Sequence, residues 1–462
     1  MSTPTHVLVI GGGISGLVCA WRLRQRGLPV LLLERGSRFG GMIDTTQENG
    51  FLFDIGPLSF TTTGPLDQLI EELGLAGELL HADRRAPRYI LFRGRLVPMS
   101  PSPPALLRTP LIGWRTKLRL LTEPLRRTRP PQDDESVAAF VRRKFGADLL
   151  TNLAAPAISG IYAGDAEKLS LRSAFPNVRR WEEQYGSVLR GAMKSRPPSG
   201  GNAASLCTFR RGMRTLPQAL CEKLADSAQC DSEVVFIRGN GAGHFDVALR
   251  HRGATQQLAA SAVVIATPTD QAGSLLAEVN SGFADALARI EYAGVAQVSA
   301  GYRLAQITGP IAVRPRGFGF LVPRTEGLRL LGTIFSSFLF AGRAPVEPEP
   351  MASFTSFLGG ATDPDMCKQP EEVIAGTARA ELAKALGITG APVAEHVSRW
   401  ERALPQYNLG HEGIVTTLKQ LCDKTPGVFL AGNYLSGPSI GSCVEQANQT
   451  TEAAARFLSA RM

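Results

Sequence analysis

The sequence predicts an α/β protein whose parallel sheet is assembled from three separated stretches of chain, with two long insertions between them. Three observations carry that prediction. The first 34 residues read strand, glycine turn, helix, strand, acid. Two further groups of apolar strand-like runs lie far downstream, near residues 262 and 428. The chain between them changes character twice, first to basic and helical, then to mixed strand and helix.

Each early element has a physical reason. Val7–Ile10 is an unbroken apolar run, as a strand covered on both faces requires. The turn Gly11, Gly12, Gly13, Ile14, Ser15, Gly16 comes directly after it. Gly11 allows the tight turn, Gly13 lets backbone approach a pyrophosphate, and Gly16 lets the following helix pack close. The helix N-terminus then offers free N–H groups and partial positive charge to phosphate. Glu34 closes the second strand, where a carboxylate accepts from a ribose hydroxyl. The unit is a dinucleotide site of the Rossmann type.

A chain of 462 residues is long enough for two or three lobes, and 44% hydrophobic with 20% charged content is ordinary for a globular protein. No apolar run reaches the length of a transmembrane helix. The first strand is expected within a few residues of Met1, so no signal peptide is expected. The seven cysteines (Cys19, Cys207, Cys221, Cys230, Cys367, Cys422, Cys443) are scattered and never in CxxC spacing, which argues against a disulfide framework or zinc site. A cytoplasmic chain with no resident metal is expected. The net charge of +9 concentrates between Arg84 and Arg129, where Arg108, Arg115, Lys117, Arg119, Arg126 and Arg127 interleave with Leu106, Leu107, Trp114, Leu118, Leu121 and Leu125. Glu123 is the lone acid inside that stretch. The pattern suits an anionic membrane surface, met peripherally on the inner face of the cell membrane. The stacking aromatics of a nucleic-acid binder are sparse, so no nucleic acid is expected.

The expected organisation is a discontinuous binding domain of residues 1–80, 205–270 and 395–462. Residues 81–200 form a basic helical insertion, with Asp134–Phe145 its clearest amphipathic helix. Residues 271–394 form an α+β domain with strands at Val295–Tyr302, Leu328–Phe335 and Met351–Phe357 and a helix at Pro370–Leu386. The segment 196–202 is the best mobile-loop candidate.

The residues just after Glu34 select the dinucleotide. Arg35 leads to a second glycine pair, Gly40 and Gly41, before Met42. Such a pair, needless in NAD dehydrogenases, lets backbone pass close to the extended FAD of glutathione-reductase-like flavoproteins. Gly56, Pro57, Leu58 and Ser59 form another tight turn, able to offer backbone to an isoalloxazine ring. Ala431–Asn433 ends a late strand, and a helix starts near Pro438. A helix N-terminus at the flavin N1–C2 carbonyl stabilises the reduced anionic ring.

To this point the chain resembles the monoamine oxidase/phytoene desaturase superfamily. It departs at Met42, where amine oxidases usually carry Arg, and at Asn433, where they carry an acid; no cysteine stands in the context of covalent flavin attachment. The amine branch is therefore disfavoured and non-covalent FAD expected. The segments Ala157–Phe175, Ala86–Ile90, Gly317–Pro323, Leu331–Ser337, Ala403–His411 and Ala431–Cys443 resemble oxygen-dependent protoporphyrinogen oxidases over nearly the whole chain. That resemblance implies oxidation of protoporphyrinogen IX to protoporphyrin IX, six electrons passing through FAD to three O2 with release of H2O2. It implies Arg88 as partner of a substrate propionate and Leu321, Ile334 and Phe357 as walls of the macrocycle. Gly160 would turn its carbonyl to the pyrrole N–H groups. FAD would be held by Gly11–Gly16, Glu34, Arg35, Gly41, Met42, Gly56–Ser59, Val234, Trp400, Asn433 and Pro438, Ser439, Ile440. A homodimer is a family-level expectation.

An arginine fork suits a carboxylate, though on residue type alone Arg88 is one surface charge among many. None of the six histidines clusters with another catalytic group. His411 is the best candidate base, a structural role being the stronger reading, and no acid/base residue is assigned. Three rivals stay open. They are coproporphyrinogen III as substrate, an amine oxidase or desaturase, and a non-catalytic binding protein like the Rab GDP-dissociation inhibitors.

Overall fold

The computed structural model describes residues 5–99, 105, 108–195, 205–240, 244–308 and 317–461. The expected mobile loop at 196–202 lies outside these residues, as do Leu106 and Leu107 of the basic stretch.

Two seven-stranded sheets organise the chain. In the first, Thr5–Ile10 lies parallel between Val30–Leu33 and Ala254–Ile265. Val428–Leu430 adds parallel to the far side of Ala254–Ile265. Alternate side chains enter opposite cores. Val7, Val9, Ala262 and Val264 pack under the helices Ile14–Gln25, Thr215–Leu224 and Ile440–Ser459. Leu8, Ile10, Val263 and Ile265 pack under Thr269–Leu276, Ser281–Ala288 and His411–Lys424. Burial on both faces is why these strands read as continuous apolar runs. The strand Ala254–Ile265 is long because it does two jobs. Its last residues pair with Thr5–Ile10, and most of its length pairs antiparallel with Phe245–His251, which in turn pairs with Ser232–Gly239.

The second sheet runs Ala394–Pro405, Tyr292–Arg303, Met351–Gly359, Leu330–Ile334, Gly319–Leu321, Arg88–Phe92, Arg95–Met99. Ala296, Val298 and Ala300 face a core shared with the helix Glu371–Leu386. Gln297 and Ser299, on the alternate face, look the other way. This membership corrects two expected boundaries. Residues 88–99 are strands of this sheet, not helical insertion, and the stretch from 395 opens with the sheet's edge strand before returning to the first sheet at 428.

Residues 114–194 form a helical lobe around Phe140, Leu150, Tyr162 and Tyr407. Its amphipathic helix spans Val137–Lys144, starting three residues later than expected. Ser136 caps it, accepting from Ala139 N–H at 3.1 Å. Asp134 is spent elsewhere, accepting from Ser170 Oγ at 2.7 Å and Gly410 N–H at 3.0 Å. Glu123 is buried, and accepts from Ser187 Oγ at 2.6 Å and Val188 N–H at 2.9 Å at the start of the helix Val188–Lys194. Trp114, Leu118, Leu121 and Leu125 remain 69%, 50%, 55% and 78% exposed, on one side of the helix Trp114–Thr122 and the turn after it. Among the described residues no helix is long and apolar enough to cross a membrane.

Candidate functional site

A cavity of about 1350 Å³ runs from the carboxyl ends of the first sheet to the free face of the second. Small-molecule sites span roughly 300–1000 Å³, so this one has room for more than a single compact ligand.

At the first sheet, Gly11, Gly12, Gly13, Ile14 and Ser15 line the cavity. Gly16 does not. It sits beneath the turn, where a Cβ would stand 1.9 Å from the Gly11 carbonyl oxygen, so its contribution is the close approach of helix to turn. At Gly13 an added Cβ would meet nothing within 4 Å, leaving open space over the helix N-terminus. The Glu34 carboxylate accepts from Gly12 N–H at 2.6 Å and Gly36 N–H at 2.7 Å. It therefore braces the turn and still presents lone pairs to the cavity. The second glycine pair is stitched to the first turn, Gly40 N–H donating to the Gly12 carbonyl at 2.8 Å. Arg35, Gly41, Met42 and Val234 complete this end. A second helix, Ile440–Ser459, also starts at the cavity, capped by Ser439, whose hydroxyl accepts from Ser442 N–H at 3.0 Å. Asn433, Pro438, Ser439 and Ile440 line the wall there. Two helix N-termini thus point positive ends into one space.

The turn Gly56, Pro57, Leu58, Ser59 lies between the halves. Gly56 has φ +80°, and a Cβ there would fall 2.1 Å from the Met42 carbonyl oxygen, so only glycine closes this turn. Beneath it Asp54 and Arg343, each 2% exposed at the side chain, pair at 3.1 Å. Arg343 also donates to Thr208 Oγ1 and the Phe209 carbonyl, both at 2.9 Å. Asp54 accepts from Met213 N–H at 2.7 Å and Thr45 Oγ1 at 2.9 Å. Burial still pushes the Asp54 carboxyl above the usual range, and the Arg343 charge pulls it back.

On the second sheet, register brings the expected substrate residues together. One cross-strand row runs Ser398, Gln297, Phe357, Gly332, Leu321, Ile90. The row two residues along runs Ser299, Thr355, Ile334, Gly319, Arg88, Met99. Trp400 stands beside Val295 in a third row. Leu321, Ile334, Phe357 and Trp400 all line the cavity. Arg88 is exposed at its edge with its guanidinium 4.9 Å from the Phe318 ring centroid, and has no ion-pair partner among the described residues. Across from the sheet, the helix Ala155–Tyr162 presents Gly160, where a Cβ would come 2.7 Å from Leu321 Cδ2.

His411 is outside the cavity lining. It stacks on Tyr407 at 4.5 Å and donates from Nε2 to the Tyr434 carbonyl at 3.0 Å. Burial lowers its pKa to about 4, so it stays neutral and supports the backbone beside Asn433. Several lining residues escaped sequence reasoning. Thr267 and Tyr434 carry buried hydroxyls with no protein partner among the described residues, as polar atoms awaiting a ligand's hydroxyls or phosphates would be. Cys443 lies in the first turn of Ile440–Ser459, and burial pushes its thiol up to about 11, which keeps it protonated. Asp54, Arg343 and Gln297 carry no local motif. Among the described residues no cluster could hold a metal ion. The open space at Gly13, the paired helix N-termini and the orphaned hydroxyls fit a dinucleotide of FAD's polarity and length.

The family model for flavin-containing amine oxidoreductases matches residues 14–458. The chain is 32% identical over 482 residues to protoporphyrinogen oxidase 1, chloroplastic, of Arabidopsis thaliana, covering 98% of this chain and 89% of that protein. It is 28% identical to coproporphyrinogen III oxidase of Bacillus subtilis (strain 168), covering 98% of both. A crystal structure from Exiguobacterium sp. 255-15, provisionally named a protoporphyrinogen oxidase, superposes with a TM-score of 0.83 at 23% identity over 99% of each chain, a likeness of fold.

Proposed function

Because the chain belongs to the flavin-containing amine oxidoreductase family, in its protoporphyrinogen oxidase branch, we propose that it oxidises a porphyrinogen with non-covalently bound FAD, protoporphyrinogen IX ahead of coproporphyrinogen III. The overall change takes six electrons and six hydrogens from the macrocycle to three O2, yielding three H2O2. FAD supplies the two-electron acceptor.

The observation that carries the reading is one largely apolar sheet face, edged by a guanidinium that has no ion-pair partner among the described residues, and continuous with a dinucleotide cradle. A tetrapyrrole is broad and apolar with acidic arms, and it needs flat apolar walls and few polar anchors. Leu321, Ile334 and Phe357 supply walls. Arg88 supplies a planar fork for a propionate. Of the other lining cations, Arg35 and Arg250 belong to the first sheet's side, while Arg402 lies on the second sheet's edge strand and is already paired. Arg35 comes just after the first sheet's second strand, Arg250 lies on Phe245–His251, and Arg402 pairs with Asp270 at 3.4 Å. A single substrate-side cation without an ion-pair partner among the described residues suits two propionates better than four. No side-chain base is needed on that face, since pyrrole nitrogen lone pairs assist hydride loss. The Gly160 carbonyl would accept from pyrrole N–H, and positioning carries the rate. The glycine turns, Glu34, Met42, Val234, Trp400, Asn433 and the Pro438–Ile440 turn would hold the cofactor, Glu34 at a ribose hydroxyl.

The exposed row Trp114, Leu118, Leu121, Leu125, beside exposed Arg115, Arg119 and Arg126, supports peripheral binding to an anionic bilayer at the inner face of the cell membrane.

The test is anaerobic. FAD-loaded protein mixed with protoporphyrinogen should lose its yellow colour, regain it on admitting O2, and release fluorescent porphyrin. Coproporphyrinogen run in parallel should bleach it more slowly. A flavin that neither porphyrinogen bleaches would sink the proposal.

A further inference from the structure

Gln297 sits where the two halves of the cavity meet, and the proposed reaction leaves it without a task. It is 2% exposed and lies on Tyr292–Arg303, paired across the sheet with Phe357. Its amide Nε2 donates to the Asp54 carbonyl at 2.6 Å, and its Oε1 accepts from Gly56 N–H at 2.9 Å. Those backbone groups stand on either side of Ile55, at the entrance to the turn Gly56–Ser59. One rigid amide bridging a carbonyl and an N–H two residues apart fixes both the direction and the height of that turn. The Met42 carbonyl oxygen lies close against Gly56, 2.1 Å from where a Cβ would stand, so a side chain could not replace the glycine there. Asp54 is itself anchored through Met213, Thr45 and Arg343.

The geometry points to Gln297 as the positioning residue that sets the separation between the cofactor-side turn Gly56–Ser59 and the sheet row carrying Phe357 and Leu321. This role rests on the flavin site proposed above. Gln297 and Phe357 are direct cross-strand neighbours whose side chains share a face. The row that would support the macrocycle therefore also grips the turn that would face the isoalloxazine. A displacement of about 1 Å between reacting groups can cost about 100-fold in rate, so a clamp spanning the two surfaces matters to chemistry beyond its share of stability. Glutamine is suited to the place because it donates and accepts at once. A carboxylate would confront the Asp54 carbonyl with a second acceptor, and leucine would strand both backbone groups.

The test compares the full-length FAD-loaded protein as wild type, Gln297→Leu and the near-isosteric Gln297→Glu. In the variants the visible absorption and circular dichroism of bound flavin should change shape, and apoprotein should bind FAD about tenfold more weakly. Anaerobic bleaching at saturating protoporphyrinogen should slow about tenfold or more, with KM within about threefold. A purely structural role would lower the melting temperature and leave the flavin spectrum and the split between kcat and KM unmoved. Flavin spectra and FAD affinity matching wild type, in either variant that folds, overturn the role. Wild-type flavin that binds but is bleached by no porphyrinogen overturns the substrate assignment alone, because the spectral and affinity readouts still judge Gln297.

Discussion

Arg343→Met removes the charge beneath the central turn and nearly keeps the volume. Arg343 is 2% exposed, faces an equally buried Asp54 at 3.1 Å, and donates to Thr208 Oγ1 and the Phe209 carbonyl, each at 2.9 Å. Removing one partner of a buried pair costs about 3–5 kcal/mol, because the remaining charge is left uncompensated. Asp54 keeps its bonds from Met213 N–H and Thr45, which holds the expectation within that range. The dependence on pH comes from linkage. Burial raises the folded-state pKa of Asp54 above its unfolded value, with Arg343 the strongest opposing influence. A raised carboxyl contributes stability in its protonated form below the unfolded pKa, and that stability is lost as pH rises through the folded pKa. Deleting Arg343 raises the folded value further. The penalty should thus be largest near neutral pH and shrink as the medium is acidified and Asp54 takes up a proton. Urea unfolding monitored by tryptophan fluorescence, at about pH 7.5 and about pH 5, reads both effects. A loss under about 1 kcal/mol at the higher pH, the size of an exposed pair, or an equal loss at both, would refute the reasoning.

Three other outcomes are expected. Arg88→Ala should raise KM for protoporphyrinogen about tenfold with kcat nearly constant, since a charge-assisted bond at an exposed edge is worth about 1.5 kcal/mol, the low end of its range; an unchanged KM rejects the assigned contact. Paired Leu118→Glu and Leu121→Glu substitutions should abolish co-sedimentation with anionic vesicles while leaving soluble activity intact, each leucine being worth about 1.5–3 kcal/mol when buried; retained binding removes that helix from the membrane contact. His411→Asn should leave the shape of the activity profile between about pH 5.5 and pH 8 unchanged, because a histidine held near 4 is already neutral there; an inflection in wild type that vanishes in the variant contradicts its structural role.

The first binding unit was legible because its information is local. Strand, turn, helix, strand and Glu34 are contiguous, and each residue type answers a demand set by its immediate neighbours. The apolar wall of the second sheet was legible only through resemblance. Leu321, Ile334 and Phe357 look like ordinary strand residues until the register puts them on one face. Asp54, Gln297 and Arg343 were not legible at all. Their partners lie hundreds of residues apart, and no periodicity marks a buried polar network whose members come from separate elements. Residues 88–99 misled for a related reason. Their arginines and the proline-rich stretch after them suggested a basic helical insertion, whereas pairing with Gly319–Leu321 decides the conformation. Cys443 was one of seven scattered cysteines with neither CxxC spacing nor an attachment context, and the helix start that brings it to the cavity is a tertiary fact.

The register of the second sheet has a consequence for how such a pocket can change. Successive residues of a strand face opposite ways, so the wall is written in alternate letters, with Phe357 and Thr355 on one side and Leu358 and Phe354 in the core behind. Exchanging one wall side chain alters a single patch of the pocket. Inserting or deleting one residue within Gly319–Leu321 or Leu330–Ile334 would turn wall into core and core into wall along the rest of that strand. Irregularities already occur where the sheet absorbs such a phase change, between Ala293 and Val295 and between Leu330 and Gly332, both at the margin of the two central rows. New specificities are therefore reachable by point substitution on this face, while a change of strand length is best absorbed at irregularities of that kind.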